Sequence, residues 1–526
     1  MGFIIARMHW NNLKRVTVIA VCLSSVVAIA QQPPAQSTRR AVRDYRQQHE
    51  ADIVRDYAAL LSLPNVASDT ANIRANADFI SKALEARGFQ TRLLSVPGSP
   101  PAVYGELTAP GAKHTLLWYA HYDGQPVDKS QWADDPWKPV LRDGPLEAGG
   151  KAIPLDSLHP LLNPEWRIYA RAAGDDKAPI QALFTALDAL HAAKLPLSVN
   201  LKVFFEGEEE AGSPHLESIF RENASLLKGD VWILSDGPVN QTRRMQVFFG
   251  ARGVTDLEMI VYGPARVLHS GHYGNWAPNP AALLVDLLSN MRDPTSHILI
   301  PGYYDDVRPL GVSEGKALAQ MPDVDAQLRQ ELALAWTESK GATLATAISE
   351  PALNIRGIES GHVESKAQNA IPTYAKASID FRLVPDQSPE KVKVLVERFI
   401  GEEGFFIVHQ EPDLETRRKH PKVIKLSWGA GGYKAAQTPI DDPAVQPVIR
   451  AIEQTLGGPI IKMPMLGGSI PMYLFTDLLK TPVFGLPIAN HDDNQHAANE
   501  NLRLQNLWDG IDIFAGVLTG TEANWR

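Results

Sequence analysis

The chain has 526 residues, of which 44% are hydrophobic and 21% are charged, and its formal net charge is −9. These proportions are those of a globular protein, and they exclude a wholly disordered or collagen-like chain. The excess of acidic residues argues against a broad nucleic-acid-binding surface, so we expect no nucleic-acid partner. A chain of this length is expected to form two domains, or one large domain with an insertion.

The first 30 residues have the pattern of a secretory signal peptide. Three basic residues precede an apolar run over residues 16–30, which contains the only cysteine, Cys22, and ends in Ala28-Ile29-Ala30. A membrane anchor is the alternative, but the run is short for a bilayer span of about 20 residues. We therefore predict an exported protein, periplasmic or extracellular, with no membrane attachment after cleavage. Residues 31–44, rich in Gln, Pro and Ser, are predicted to form a tether.

Residues 45–248 predict the first part of an α/β domain. Apolar spacing in this region indicates helices at residues 53–61, 80–89 and 180–194. It indicates strands at residues 115–119, 199–205 and 231–235. Strands that alternate with helices are typical of a mostly parallel sheet with helices on both faces.

Residues 249–432 have a different pattern. Alternating apolar residues predict strands at 257–261 and 377–383, and Ser388-Pro389 has the N-cap and first-turn residues of a helix. This α+β pattern predicts an inserted domain. Residues 433–526 return to the α/β pattern and are predicted to complete the first domain.

Acidic residues and histidines follow four predicted strands, at residues 115–119, 167–169, 199–205 and 231–235. Because ligands bind outside the carboxyl ends of strands in α/β sheets, we expect these residues to converge, and so much negative charge requires cations. Imidazole and carboxylate ligands without a thiolate suit Zn²⁺, Mn²⁺ or Co²⁺ in a hydrolytic site. Each cluster alone also fits a helix cap, a turn or a solvated face, but their repetition favours a metal site. The residues are His121, Asp123, Asp175, Glu209, Glu210 and Asp236, with His496 in a later acidic loop.

The same residues lie in motifs that resemble those of metallopeptidase family M20. These co-catalytic zinc peptidases include aminoacylases, carnosinase-type dipeptidases, succinyl-diaminopimelate desuccinylases and glutamate carboxypeptidases. The similarity extends over residues 45–518, and three of its motifs resemble the dipeptidase branch in particular. It implies an α/β catalytic domain with an inserted α+β lid domain, through which two chains form a homodimer. The motifs are residues 121–126, 171–177, 208–213, 269–271, 382–385 and 467–471.

The resemblance implies two Zn²⁺ ions per chain. It implies that Asp175 bridges the two ions and is followed by a cis peptide bond. It also implies that Glu209 is the general base and that Asp123 orients a ligand histidine. The other implied ligands are His121 and Asp236 for one ion, and Glu210 and His496 for the other.

Four substrate contacts follow from the resemblance. His269, from the lid of a partner subunit, is implied to donate a hydrogen bond to the substrate carbonyl. Arg382 is implied to bind the terminal carboxylate, supported by Ser469. Asn369 stands where dipeptidase relatives tend to have Thr near this carboxylate. From the residues alone, a surface histidine, a strand-surface arginine and an ordinary turn are the alternatives for the first three. Ala172 departs from the family, which usually has Gly there.

We therefore expect a metal-dependent hydrolase that cleaves the amide bond of dipeptides or short peptides with a free C-terminal carboxylate. Glu209 is expected to deprotonate a metal-bridging water. One alternative is an N-acyl-amino-acid amidohydrolase, which would not accept an unblocked N-terminus. The other is a non-catalytic protein that binds metal or peptide, and it is disfavoured because Glu209 and all the implied ligands are present.

Overall fold

A computed structural model describes residues 34–525 of the chain. The segment predicted as a signal peptide lies outside the described residues. Among the helices of residues 34–525, none combines the length and the apolar character that a bilayer span requires.

The largest sheet, which we call the main sheet, has eight strands. Its four central strands are parallel to one another, and antiparallel pairs occur on both sides of them. In sheet order the strands are Gln90–Leu94, Ala102–Leu107, Asn200–Glu206, Thr115–His121, Val231–Leu234, Val483–Gly485, Gln246–Phe248 and Ile461–Met463.

Helices cover both faces of the main sheet. Alternate side chains of a strand point to opposite faces, so Trp118 and Tyr119 enter different hydrophobic cores. Trp118 packs against Phe514 with ring centroids 4.4 Å apart, and Tyr119 packs against Phe475 at 5.7 Å. This arrangement confirms the predicted α/β fold class. The Trp118 core includes the helices Pro34–Leu61, Thr70–Glu85, Lys177–Ala192, Gln446–Leu456 and Leu504–Asn524, and the Tyr119 core includes Leu216–Asn223.

One predicted strand lies outside the main sheet. Arg167–Tyr169 forms hydrogen bonds on both sides within a separate antiparallel sheet, which leaves it no free edge for the main sheet. The expectation that four acidic strand ends meet at one sheet edge is therefore wrong for this strand. The four strands of this small sheet are, in order, Asn501–Arg503, Arg167–Tyr169, Val140–Arg142 and Ala152–Ile153.

A second large sheet, which we call the lid sheet, has five strands that all lie within residues 249–432. In order they are Ala352–Glu359, Tyr374–Leu383, Gly253–Tyr262, Val423–Trp428 and Phe406–Val408. Short strands pair Gly250–Ala251 with Ala436–Gln437 and Leu268–His269 with Ala370–Ile371. The helices of this region are Ser270–Tyr273, Pro280–Met291, Val312–Gln320, Asp325–Glu331, Leu344–Ala347, Pro389–Glu402 and Leu414–Lys419.

Two helices pack on the lid sheet and share its hydrophobic core. Leu287 of Pro280–Met291 and Val396 of Pro389–Glu402 belong to the same buried cluster as strand residues such as Phe381. The second helix begins where the sequence predicts, because the hydroxyl of Ser388 accepts a hydrogen bond from the Lys391 amide at 3.2 Å.

The segment predicted as a tether is helical from Pro34 onward. Val42 is fully buried, and Arg39 and Arg43 both donate to the buried carboxylate of Asp512, at 3.1 and 2.7 Å. The prediction of a tether over residues 34–44 is therefore wrong. Its composition is typical of a linker, but its two arginines bind a carboxylate more than 400 residues further along the chain.

Candidate metal centre

His121 occupies the carboxyl end of the central strand Thr115–His121, and its side chain is fully buried. The neighbouring strands supply Asp236, which follows Val231–Leu234, and Glu209 and Glu210, which lie in a single helical turn after Asn200–Glu206. The parallel strands therefore bring these four side chains to one edge of the main sheet, as the sequence predicts.

Asp123 connects His121 to the turn that carries the two glutamates. Its carboxylate lies 3.4 Å from Nδ1 of His121, and it accepts hydrogen bonds from the amides of Glu209 and Glu210 at 3.1 and 3.0 Å. Asp123 is fully buried. One carboxylate thus orients the imidazole and holds the adjacent turn at the same time.

Asp175 reaches the same place from the small sheet. Its loop is held by the buried carboxylate of Glu500, which accepts hydrogen bonds from the amides of Ala172, Gly174 and Asp175 at 2.9, 2.8 and 3.0 Å. Arg171 donates to the same carboxylate at 2.8 Å. The peptide bond after Asp175 is cis, as the resemblance implies.

The loop over residues 491–499 brings His496 against this loop. At Gly174 a side chain would not fit, because a Cβ atom would lie 2.7 Å from the carboxylate of Asp493. This close approach allows Nε2 of His496 to lie 3.1 Å from Asp175 and 3.1 Å from Glu210. Gln495 also donates to Asp175, at 2.6 Å.

Two overlapping groups of side chains are placed to hold metal ions. The first is His121, Asp175 and Asp236, and the second is Asp175, Glu210 and His496. Within each group the ligand atoms lie within 4.8 Å of one another. Asp175 belongs to both groups, since one of its oxygens is 2.8 Å from His121 and the other faces His496.

The electrostatics of these residues fit bound cations. Burial, together with the charge of Asp175, raises the pKa of Asp236 to about 7, and burial raises the pKa of Glu209 well above its usual value. Hydrogen bonds to Asp175 and Glu210 raise the pKa of His496 to about 10. The side chains alone therefore retain protons that metal ions would displace. A donor set of imidazoles and carboxylates suits Zn²⁺ and related divalent ions.

A cavity of about 390 Å³ opens over these residues. One part of its lining, which we call the metal end, consists of Asp175, Glu209, Asp236 and His496. Another part, which we call the carboxylate end, consists of Arg382 and Ser469.

The carboxylate end joins the lid sheet to a glycine-rich loop. Arg382 lies on the strand Tyr374–Leu383, and its Nη1 donates to the hydroxyl of Ser469 at 2.9 Å. Its Nε donates to the buried carboxylate of Asp380 at 2.8 Å. About a third of the Arg382 side chain is exposed, which leaves guanidinium donors free to bind an anion.

His269 and Asn369 do not line this cavity. Both are exposed: His269 ends the strand Leu268–His269, and Asn369 directly precedes the partner strand Ala370–Ile371. The ring of His269 accepts a hydrogen bond from Gly271 at 3.1 Å, and the carbonyl of Asn369 accepts one from Ser270 at 2.9 Å. Within one chain, the structure therefore does not bring these two residues to the other predicted site residues.

Three residues that the sequence analysis missed contact the site directly. Gln125 donates to Glu210 at 2.7 Å, Gln495 donates to Asp175, and Glu500 holds the Asp175 loop. Gln125 and Gln495 lie within or beside predicted motifs, so their positions offered a signal. Glu500 offered none, because its partners lie more than 320 residues away in the chain.

The sequence profile of "Peptidase family M20/M25/M40" matches residues 117–520. Human Beta-Ala-His dipeptidase is 30% identical to the chain over 425 residues, which cover 79% of this chain and 76% of that protein. Cys-Gly metallodipeptidase dug1 of Schizosaccharomyces pombe is 29% identical over 423 residues, which cover 79% of this chain and 81% of that protein.

Solved structures have the same fold. A metallo-carboxypeptidase of the M20 family, Sso-CP2 from Sulfolobus solfataricus, superposes with a TM-score of 0.72 and 26% identity, over 90% of this chain and 99% of that one. Human carnosine dipeptidase 1 superposes with a TM-score of 0.70 and 23% identity, over 93% of this chain and 100% of that one.

These comparisons contradict one expectation. The chain was expected to be exported, to the periplasm or out of the cell. That expectation is wrong, because the Cys-Gly metallodipeptidases of Schizosaccharomyces pombe and Saccharomyces cerevisiae, which match the chain, are enzymes of the cytosolic type. Residues 16–30, on whose apolar composition the expectation rested, lie outside the described residues.

Proposed function

Because the chain belongs to peptidase family M20/M25/M40, we propose that it is a metal-dependent hydrolase of dipeptides or short peptides with a free C-terminal carboxylate. One observation carries this proposal: members of both metal-holding groups, together with an arginine–serine pair, line the same cavity. A substrate can therefore place its carboxylate at one end while its amide bond lies at the other. The curated relatives named as dipeptidases support the same substrate class.

His121, Asp175 and Asp236 would hold one ion, and Asp175, Glu210 and His496 the other. We propose Zn²⁺ as the resident ion, with Mn²⁺ or Co²⁺ as alternatives that the same donors accept. When bound, such ions would polarise the scissile carbonyl and lower the pKa of a bound water. Asp123 would act on this centre indirectly, by keeping the His121 ring in place.

Glu209 is proposed as the general base. It lines the cavity but belongs to neither metal-holding group, and its Oε2 lies 3.9 Å from Nε2 of His121. A carboxylate in this position can take a proton from the attacking water and then deliver it to the leaving nitrogen. Burial raises the pKa of Glu209, which suits a group that must carry a proton between two steps.

Arg382 and Ser469 are proposed to bind the carboxylate of the substrate. The planar guanidinium binds carboxylates through two parallel hydrogen bonds, and Ser469 holds it in place through Nη1. This contact would fix the distance between the free C-terminus and the bond that is cut. It would therefore select peptides with one residue, or few, after the scissile bond.

We propose that His269 and Asn369 complete the site of a second copy of the chain. They are exposed on residues 249–432, the proposed lid and dimerisation domain, and lie outside the cavity of their own chain. The proposed catalytic domain is then residues 45–248 and 433–526. Mixing inactive Glu209→Gln and His269→Ala chains tests this: a heterodimer would contain one intact site and regain activity. Absence of any recovery in mixed dimers would contradict the exchange of His269.

The proposed activity is tested with a library of dipeptides, C-terminally amidated dipeptides and N-acetyl amino acids. The protein is loaded with Zn²⁺ or Mn²⁺, and cleavage is followed by mass spectrometry with and without a chelator. We expect chelator-sensitive cleavage restricted to peptides with a free carboxylate. Cleavage of acylated amino acids alone would instead indicate an N-acyl-amino-acid amidohydrolase, and cleavage that survives the chelator would contradict the metal mechanism.

A further inference from the structure

Arg252 lies beside the carboxylate end, at the point where the chain passes from the main sheet into the lid sheet. It follows the short strand Gly250–Ala251 and precedes the strand Gly253–Tyr262. No motif of the sequence analysis includes it. Its Nε donates a hydrogen bond to the carbonyl of Gly467 at 2.9 Å.

The segment that contains Arg252 runs alongside the loop that contains Ser469. The amide of Leu466 donates to the carbonyl of Gly250 at 2.7 Å, and the hydroxyl of Ser469 lies 3.4 Å from the carbonyl of Gly253. The hydrogen bond from the Arg252 side chain to Gly467 is a third contact, which lies between the other two along both segments. On its other side, Gly467 faces Ile348, whose Cγ2 would lie 3.4 Å from a Cβ atom at that position.

The pairing of the lid sheet places Arg252 near Arg382. Val254 is paired with Arg382, so residues two positions from Val254 lie diagonally across the same face. Burial and the charge of Arg382 together lower the pKa of Arg252 to about 10, which agrees with this proximity.

The positive charges of the Arg252 and Arg382 guanidiniums exceed the negative charge that is paired with them. Among the described residues, Arg382 forms an ion pair with Asp380, and no carboxylate forms an ion pair with Arg252. A site with two positive charges and one negative charge has room for one more anion. The carboxylate of a peptide substrate supplies that single charge.

We propose that Arg252 is a positioning residue for the C-terminal carboxylate of the substrate, because it fixes the Gly467–Ser469 loop against Arg382. The hydrogen bond between Arg382 and Ser469 joins the lid sheet to the glycine-rich loop, so its geometry depends on how the sheet and the loop are held together. Arg252 contacts this loop from the segment that leads into the lid sheet. This inference rests on the proposed function and adds to it a determinant of substrate affinity.

The test compares Arg252→Met with the wild-type enzyme and with Arg417→Met. Arg417 is a matched control, because it also donates from a guanidinium to a glycine carbonyl, that of Gly263 at 2.7 Å, but it does not line the cavity. We expect Arg252→Met to raise KM for a free dipeptide about tenfold, the effect of losing one charge-assisted hydrogen bond, with kcat changed less than about threefold. We expect Arg417→Met to leave both constants unchanged.

Three further measurements separate positioning from general damage. The preference for a free dipeptide over its C-terminal amide, as a ratio of kcat/KM, is expected to shrink in Arg252→Met. Arg252→Lys, which keeps the charge and a donor, is expected to recover part of the lost affinity, and it serves as the test variant if Arg252→Met does not fold. The double variant Arg252→Met/Ser469→Ala is expected to have a KM only slightly higher than that of Ser469→Ala alone, because both substitutions interrupt the same series of contacts.

A wild-type preference for the free dipeptide that survives unchanged in Arg252→Met would overturn the inference. If the losses of affinity caused by the two substitutions add up in the double variant, the inference that Arg252 acts through Gly467 is wrong. A wild-type enzyme that cleaves the amide as well as the free dipeptide would instead contradict the carboxylate contact of the proposed function. The same differences in affinity can be measured without turnover, by calorimetry of dipeptide binding to variants that also carry Glu209→Gln.

Discussion

The metal end and the carboxylate end of the cavity are held in place by different means. At the metal end, buried carboxylates contact histidines and amides across loops of the main and small sheets. At the carboxylate end, hydrogen bonds from Arg382 and Arg252 join the lid sheet and the segment that leads into it to a glycine-rich loop. The metal end is therefore preorganised within one structural unit, whereas the carboxylate end depends on how the lid sheet is placed. Reaction chemistry and substrate affinity should respond to different substitutions.

The largest effect is expected for Asp175, which belongs to both metal-holding groups. We expect Asp175→Ala to lose both ions and all measurable turnover. Asp236→Ala, which affects one group alone, should retain the ion of the other. Metal content per chain, measured by mass spectrometry of the purified variants, checks this. Two ions in Asp175→Ala would show that the groups do not share a ligand.

Glu209→Gln should separate chemistry from metal binding. Because Glu209 belongs to neither group, we expect two ions per chain and an unchanged fold, but a kcat lower by about 10²–10⁴. Steady-state kinetics and metal analysis of the same preparation check it. Turnover within about tenfold of wild type would refute its role as the base.

Arg382→Met should affect the opposite end of the cavity. We expect KM for a free dipeptide to rise about 10- to 100-fold, with kcat much less affected and both ions retained, because charge-assisted hydrogen bonds to a carboxylate are lost. The C-terminal amide of the same dipeptide is the control, and its kinetics should barely change. An equal loss for the amide would mean that Arg382 supports the fold rather than the substrate.

The smallest effect is expected at Ala172, which has a φ of 62° in the loop that carries Asp175. An L-residue is strained in this conformation and glycine is not, so Ala172→Gly should raise the free energy of unfolding by about 0.5–1 kcal/mol. The neighbouring Ala173→Gly, at a residue without positive φ, should lower it. Denaturant midpoints of the two variants check the opposite signs.

Much of the metal end was predictable from the sequence because strand ends are local features. His121, Asp236, Glu209 and Glu210 follow apolar runs directly, and parallel pairing brings such positions together. Asp175 was also predicted, although its strand lies in another sheet, since the motif rather than the sheet edge identified it. The α/β class and the helix that begins at Pro389 were predicted from periodicity and capping.

What could not be predicted depends on contacts between distant residues. The helix over residues 34–44 is anchored by Asp512, and the Asp175 loop is anchored by Glu500, so neither partner leaves a trace in the local pattern. His269 and Asn369 were assigned by resemblance alone, and a single chain places them outside the cavity. Arg252 was not predicted, because a single arginine between two strands forms no recognisable sequence pattern.

The anchoring of the Asp175 loop has a consequence for the order in which the protein becomes active. Asp175 and Glu500, which are in contact in the fold, are 325 positions apart in the chain. A ribosome that has completed the main-sheet strand at residues 115–121 has yet to make His496 and Glu500. Until those residues emerge, the growing chain lacks one proposed metal ligand, His496, and the residue that holds the loop of another, Asp175. On the proposed function, we expect the chain to be inactive during its own synthesis and to gain activity only as its last strand and helix dock.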